Sequence, residues 1–174
     1  VTIENCAIIG NVDAWDGGGM FLWNCDVILS NNHIFGNQAS NGAGLYLYQS
    51  DGAELTGNQI HDNTADWFAG GGLSLNDSDA TLDTNNVYSN EAVDLAGGLA
   101  MANGNVSFTN NTFSSNTAGG QGGGLHLWYG SAIFDGDTIQ ENTAGGKGGG
   151  IYSIGGTLTM SHVNVTGNIA SETG

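Results

Sequence analysis

The sequence predicts an all-β fold, a right-handed parallel β-helix of about seven 26-residue coils with three short strands per coil. Three observations predict it: an internal repeat of constant length, apolar residues spaced by two within each copy, and 31 glycines against no proline.

The repeat is read most easily from its asparagines. Asn11, Asn37, Asn63, Asn90, Asn116, Asn142 and Asn168 follow one another at 26 residues, with one step of 27. Three residues before each stands an apolar side chain: Ile8, Ile34, Ile60, Val87, Phe113, Ile139 and Val165. Eight before stand Ile3, Leu29, Leu55, Leu82, Phe108, Phe134 and Met160, and ten before stand Val1, Val27, Ala53, Ala80, Val106, Ala132 and Leu158. No member of these columns is polar. A spacing of two puts alternate side chains on one face of an extended strand.

A second landmark precedes the last strand of each copy. Glycines cluster at 17–19, 42–44 (with Ala43 inside), 70–72, 97–98, 122–124 and 148–150, each followed by Met20, Leu45, Leu73, Leu99, Leu125 or Ile151. The runs between apolar positions are rich in Gly, Asn, Asp and Ser, which is turn chemistry. One such coil cannot bury its own apolar face, so the coils must stack, at about 4.8 Å per coil. The right hand follows from the preference of parallel crossovers. Absence of proline fits strands that must all donate their N–H groups.

A second asparagine column, Asn32, Asn58, Asn85 and Asn111, ends in Asp137, with Cys6 and Val163 in the end coils. Stacked asparagines can hydrogen-bond amide to amide along the axis, and Asn also tolerates the left-handed backbone of a tight corner. Both columns therefore read as structural ladders.

Composition limits the partners. The net charge is -16, and Lys147 is the single Lys or Arg. Nucleic acid and anionic membranes are not expected ligands, because phosphate contacts need Lys and Arg. No apolar run is long enough to cross a bilayer, so no membrane insertion is expected. The 39% hydrophobic content and its strict spacing argue against disorder. The chain reads as one domain over 1–174, processed or part of something longer.

Phe113-Ser114-Ser115-Asn116 with Gly122-Gly123-Gly124-Leu125 resembles the Phe-x-x-Asn and Gly-Gly-Ala-Ile/Leu/Val repeats of the chlamydial polymorphic outer-membrane proteins. More broadly the whole chain is similar to parallel β-helix repeats of secreted bacterial and archaeal surface proteins. Phe occurs in one of the seven Asn motifs here, and Gly mostly replaces Ala. The resemblance implies an extracellular or cell-surface location and a non-catalytic structural or adhesive role, as a surface module or fibre subunit. The alternative is a carbohydrate-binding or glycan-processing β-helix.

Enzymatic readings find little in the residues. Pectate lyases share the fold class, but that family uses calcium with an arginine base, and the chain has no arginine. A glycosidase needs two carboxylates that converge on one sugar. Asp135 and Asp137 are the nearest pair in sequence, and no acid lies beside Asp135 in the neighbouring coils. His33, His61, His126 and His162 fall in four different columns, so they do not stack into a metal site. No cofactor is expected. The one candidate for calcium is the corner holding Asp26, Asp51, Asp77 and Asp79, where stacked carboxylates would supply oxygen ligands.

The candidate binding surface lies on the last strand of the coil. Two outward columns are expected there: Phe21, Tyr46, Ser74, Ala100, His126 and Tyr152, and beside them Trp23, Tyr48, Asn76, Ala102, Trp128 and Ile154. Aromatic side chains stand at both ends and small ones in the middle, which describes a trough with aromatic walls. Phe21, Trp23, Tyr46, Tyr48, His126, Trp128 and Tyr152 are its candidate ligand-binding residues, for a surface glycan or a protein neighbour. No polar cap is visible near Val1 or after Asn168, so end-to-end self-association or packing on flanking repeats is also expected. Cys6 and Cys25 are expected about one side of the coil apart, too far for a disulfide.

Overall fold

A computed structural model describes residues 1–171. It is a right-handed parallel β-helix whose strands form four sheets. In the second coil the chain visits the first sheet at Ile28–Ser30, the second at His33–Phe35, the third at Gln38–Asn41 and the fourth at Leu45–Tyr48. The first two sheets have seven strands and the other two have six. Every pairing is between successive coils and parallel, as in Thr81 beside Glu54 and Ser107.

The expected three strands per coil are thus three of four. The missing one, on the third sheet, is short: in four coils it is the pair Glu91–Ala92, Thr117–Ala118, Thr143–Ala144 or Ile169–Ala170. Its inward residue is always alanine, at Ala39, Ala65, Ala92, Ala118 and Ala144, all buried. Ala39, Ala65 and Ala92 pack together with Ala43 in a small cluster of their own.

The predicted core columns line the interior. Leu29, Leu55, Leu82, Phe108 and Phe134 are buried in the first sheet, and Ile34, Ile60, Val87, Phe113 and Ile139 in the second. They face Leu45, Leu73, Leu99 and Leu125 of the fourth sheet within one continuous cluster. Phe108 and Phe134 stack at 4.2 Å between centroids, with planes 2° apart. Each fully buried Leu or Phe contributes about 2 kcal/mol by removal from water.

Both asparagine columns form ladders, and the inner rungs use every amide hydrogen bond. Asn63 Nδ2 donates to Asn90 Oδ1 at 3.0 Å and to Ile34 O at 3.0 Å. Its Oδ1 accepts from the backbone N and the Nδ2 of Asn37. The same four contacts recur at Asn58, Asn85, Asn90, Asn111, Asn116 and Asn142. The ladder asparagines do not themselves adopt left-handed backbone, contrary to expectation. The residue before each one does, as at Gly36, Asp62, Ser89, Ser115 and Glu141. The ladder residue needs its own N–H directed along the axis, so the sharp turn falls one position earlier.

The glycine clusters belong to the same machinery. A Cβ on Gly72 would lie 2.6 Å from Gly98 O and 3.0 Å from Asn90 Nδ2, and Gly98 and Gly124 meet Asn116 and Asn142 in the same way. Asparagine and glycine recur together because the amide stack occupies the space of a side chain. A shorter ladder turns the corner from the fourth sheet to the first: Ser78 Oγ accepts from Ser50 N, and Ser50 Oγ accepts from Cys25 N. Cys6 and Cys25 are free thiols.

Asp137 is the exception in the ladders. Its Oδ1 accepts from the N and Nδ2 of Asn111, but Oδ2 is buried with no partner. Burial pushes its carboxyl up from the ordinary value of 3.8, against the lowering effect of the Asn111 hydrogen bonds. The folded protein therefore holds this proton more tightly than the unfolded chain. Its contribution is most favourable in acid and is lost as pH rises from 3.8 through the raised value. Asp137→Asn should replace Oδ2 with a donor aimed at Phe108 O, as Asn111 Nδ2 donates to Leu82 O. The variant should be more stable than the parent at neutral pH by about 2 kcal/mol, and the gap should close in acid. Urea melts at the two pH values measure it; a gap independent of pH would show that Asp137 is not the titrating group.

Strand facing has its own test. Leu82 is wholly buried and Thr81 beside it is exposed. Leu82→Asp should cost about 4 kcal/mol or more, enough to abolish folding, while Thr81→Asp should cost about 0.5 kcal/mol. Circular dichroism melts that fall equally in both would contradict the register.

Candidate binding cleft on the fourth sheet

Strand pairing on the fourth sheet builds the two outward columns in the expected order. Phe21 lies beside Tyr46, Tyr46 beside Ser74, Ser74 beside Ala100, Ala100 beside His126 and His126 beside Tyr152. The second column runs from Trp23 through Tyr48, Asn76, Ala102 and Trp128 to Ile154. Rings at each end lie against one another, Phe21 on Tyr46 and His126 on Tyr152 stacked and Trp23 tilted against Tyr48. Phe21 and Tyr46 are 5.5 Å apart, Trp23 and Tyr48 6.3 Å, and His126 and Tyr152 5.2 Å. Between the two groups the small residues leave a cleft of about 490 Å³.

Tyr46 forms one wall and His126, Trp128 and Tyr129 the other, with Ser74, Asn76, Ala100 and Ala102 beneath. Asn76 Nδ2 donates to the Tyr46 hydroxyl at 3.2 Å, which fixes the ring against the floor. Burial raises the Tyr46 phenol above its ordinary value, so it is a neutral donor and acceptor at physiological pH. Burial lowers His126, opposed by the charge of Asp94, so its imidazole is uncharged at neutral pH. No Asp, Glu, Lys or Arg is among the described residues lining the cleft, and its one histidine is uncharged. Three carboxylates lie near it: Asp16 accepts from Asn41 Nδ2, Asp77 from Asn103 Nδ2, and Asp94 faces His126.

The expected residues separate into two groups. Tyr46, His126 and Trp128 line the cleft, and Tyr152 continues it into a smaller hollow beside Trp128. Phe21, Trp23 and Tyr48 lie outside it; Trp23 Nε1 donates to Gln49 Oε1. His126 is not the exposed side chain expected: it retains 5% exposure, and Ser74 and Ala100 each retain 7%. Phe68 and Leu95 line the same cleft from the adjoining corner, and Leu95 packs against Ala100. These two were not foreseen, nor was Tyr129. Phe68 and Leu95 sit in the corner where coil length varies, so column counting does not align them. The third turn is long there, with 28 residues from Ser50 to Ser78, and the strand Thr64–Ala69 bulges between Ala65 and Ala69.

The other candidates do not converge. Asp26, Asp51, Asp77 and Asp79 act as separate turn residues. Asp51 Oδ1 accepts from Asp79 N, and Asp79 Oδ1 accepts from Asn105 N and Nδ2. Among the described residues no three His, Cys, Asp or Glu side chains are grouped to hold a metal ion. Asp135 points outward to His162 Nδ1 at 2.8 Å, while Asp137 points into the core, so the pair face opposite sides of one wall. His61 stacks between Phe35 at 4.9 Å and Tyr88 at 4.6 Å.

Removing a cleft wall should separate stability from surface shape. Trp128 is 45% exposed and contacts Tyr129 at 6.2 Å. Trp128→Ala should cost about 1 kcal/mol, measured by thermal melting. A loss of several kcal/mol would make the ring part of the core.

A family model described as right handed beta helix region matches residues 1–144, which include the cleft and both ladders apart from Asn168. No curated protein and no solved structure gave a match. With its parallel coils and a match over most of its length, the chain belongs to the right-handed beta helix family.

Proposed function

We propose that this chain is a non-catalytic module of an extracellular surface, and that it attaches through a neutral carbohydrate held in the fourth-sheet cleft. The single observation that carries the reading is the uncharged cleft with aromatic walls and an amide and hydroxyl floor. Pyranose rings present apolar C–H faces that stack on aromatic rings and hydroxyls that bond to Asn, Ser and Tyr side chains. The -16 charge repels anionic polymers. The resemblance to adhesin-like repeats supports a surface role, and no carboxylate is among the described residues lining the cleft to act as a glycosidase acid or nucleophile.

The test is a glycan array probed with the parent chain, Trp128→Ala and Tyr48→Ala. Trp128→Ala should weaken binding to the recognised glycan about tenfold. Tyr48→Ala, outside the cleft, should leave it unchanged. Equal binding by all three proteins would remove the cleft from the function, and no binding to any glycan would reject the carbohydrate reading.

A further inference from the structure

We infer that the cleft is one end of a longer groove that takes a linear neutral polysaccharide, whose second station is the pair Trp15 and Trp67. This rests on the carbohydrate reading of the cleft and extends it to a polymer.

The observation is a second hollow of about 570 Å³ at the third-sheet corner, lined by Trp15, Trp67, Phe68, Ser40, Asn41 and Ala14. Asn41 and Phe68 also line the fourth-sheet cleft, so the two hollows share a boundary. Trp15 and Trp67 are 75% and 76% exposed, more than any other aromatic side chain described. Unlike Trp23 or Trp128, neither stacks on another ring among the described residues. Packing of the fold therefore does not explain them.

Their placement is set by backbone. Trp15 lies in the first coil, where its carbonyl accepts from Asn41 N, and Trp67 lies on the bulge of the third. Ser40 occupies the coil between them and donates its hydroxyl to Ala14 O. Two exposed indoles thus stand two coils apart, about 9.6 Å along the axis, over a floor of small polar side chains. A single sugar ring engages one indole. A chain with apolar ring faces at regular intervals engages both and continues past Phe68 into the cleft. Charge selects the polymer: Asp13, Asp16 and Asp66 surround this corner, each accepting a hydrogen bond from a neighbour, and no described cation lines either hollow. Uronate and sulfate polymers are repelled, and neutral chains are not.

The experiment titrates cello-, manno- and chito-oligosaccharides, from disaccharide to octasaccharide, into the parent chain, Trp15→Ala, Trp67→Ala and Trp128→Ala. The expected result is an affinity that rises about tenfold with oligomer length in the parent. Trp15→Ala and Trp67→Ala should lose that rise and keep disaccharide binding, while Trp128→Ala should lose disaccharide binding. Melting curves unchanged in Trp15→Ala and Trp67→Ala are the folding control. Affinity independent of length, or a length dependence unaltered in both tryptophan variants, overturns the groove and leaves the cleft reading standing. No binding of any oligosaccharide by the parent overturns both. Sedimentation in which Trp67→Ala dissolves an oligomer of the parent chain, with sugar binding unchanged, assigns the indoles to a protein contact and also overturns it.

Discussion

The molecule depends on one constraint: successive coils must lie in register, residue over residue. The asparagine ladders impose it. A rung such as Asn63 donates twice and accepts twice, always to the coil above or below. A slip by one residue would bury a full amide without partners, at a cost far above the roughly 1 kcal/mol a single bond contributes. The apolar columns could tolerate exchange of one aliphatic residue for another. The ladders specify which residue meets which.

The glycine clusters follow from the same constraint. An amide stack running the length of the rod fills the volume that the facing turn would otherwise use, and Gly44, Gly72, Gly98 and Gly124 leave it free. In this fold glycine content measures how closely backbone is pressed against a ladder, not how flexible the chain is.

Because register is held from inside, the outward residues are released from structural duty. On the second sheet Phe35, His61 and Tyr88 simply stack. On the fourth sheet the aromatic residues are interrupted by Ser74, Asn76, Ala100 and Ala102, and the interruption makes a cleft. Several aspartates accept hydrogen bonds from neighbouring residues at turns, as Asp13, Asp51 and Asp79 do. Asp137 alone is placed inside, and its unpartnered oxygen marks where the second ladder meets Val163 in place of another amide.

The period, the inward columns, the two asparagine ladders and the order of the fourth-sheet columns were legible in the sequence, because strict stacking turns a linear period into spatial neighbours. Leu82 over Leu55 needs only a count of residues. The fourth strand was less legible, since its only inward residue is an alanine and its shortest copies have two residues. The left-handed corner fell one position before the ladder because geometry inside the turn, not residue preference, decides it. The cleft was half legible. Tyr46 and Trp128 came from column counting, but Phe68, Leu95 and the exposed Trp15 and Trp67 did not, for they occupy the corner where coils differ in length and periodicity fails. What the sequence by itself determined was the repeat and everything locked to it. What only the tertiary structure decided was the shape of that irregular corner, where a bulge in Thr64–Ala69 carries side chains over a neighbouring sheet that no period relates to them.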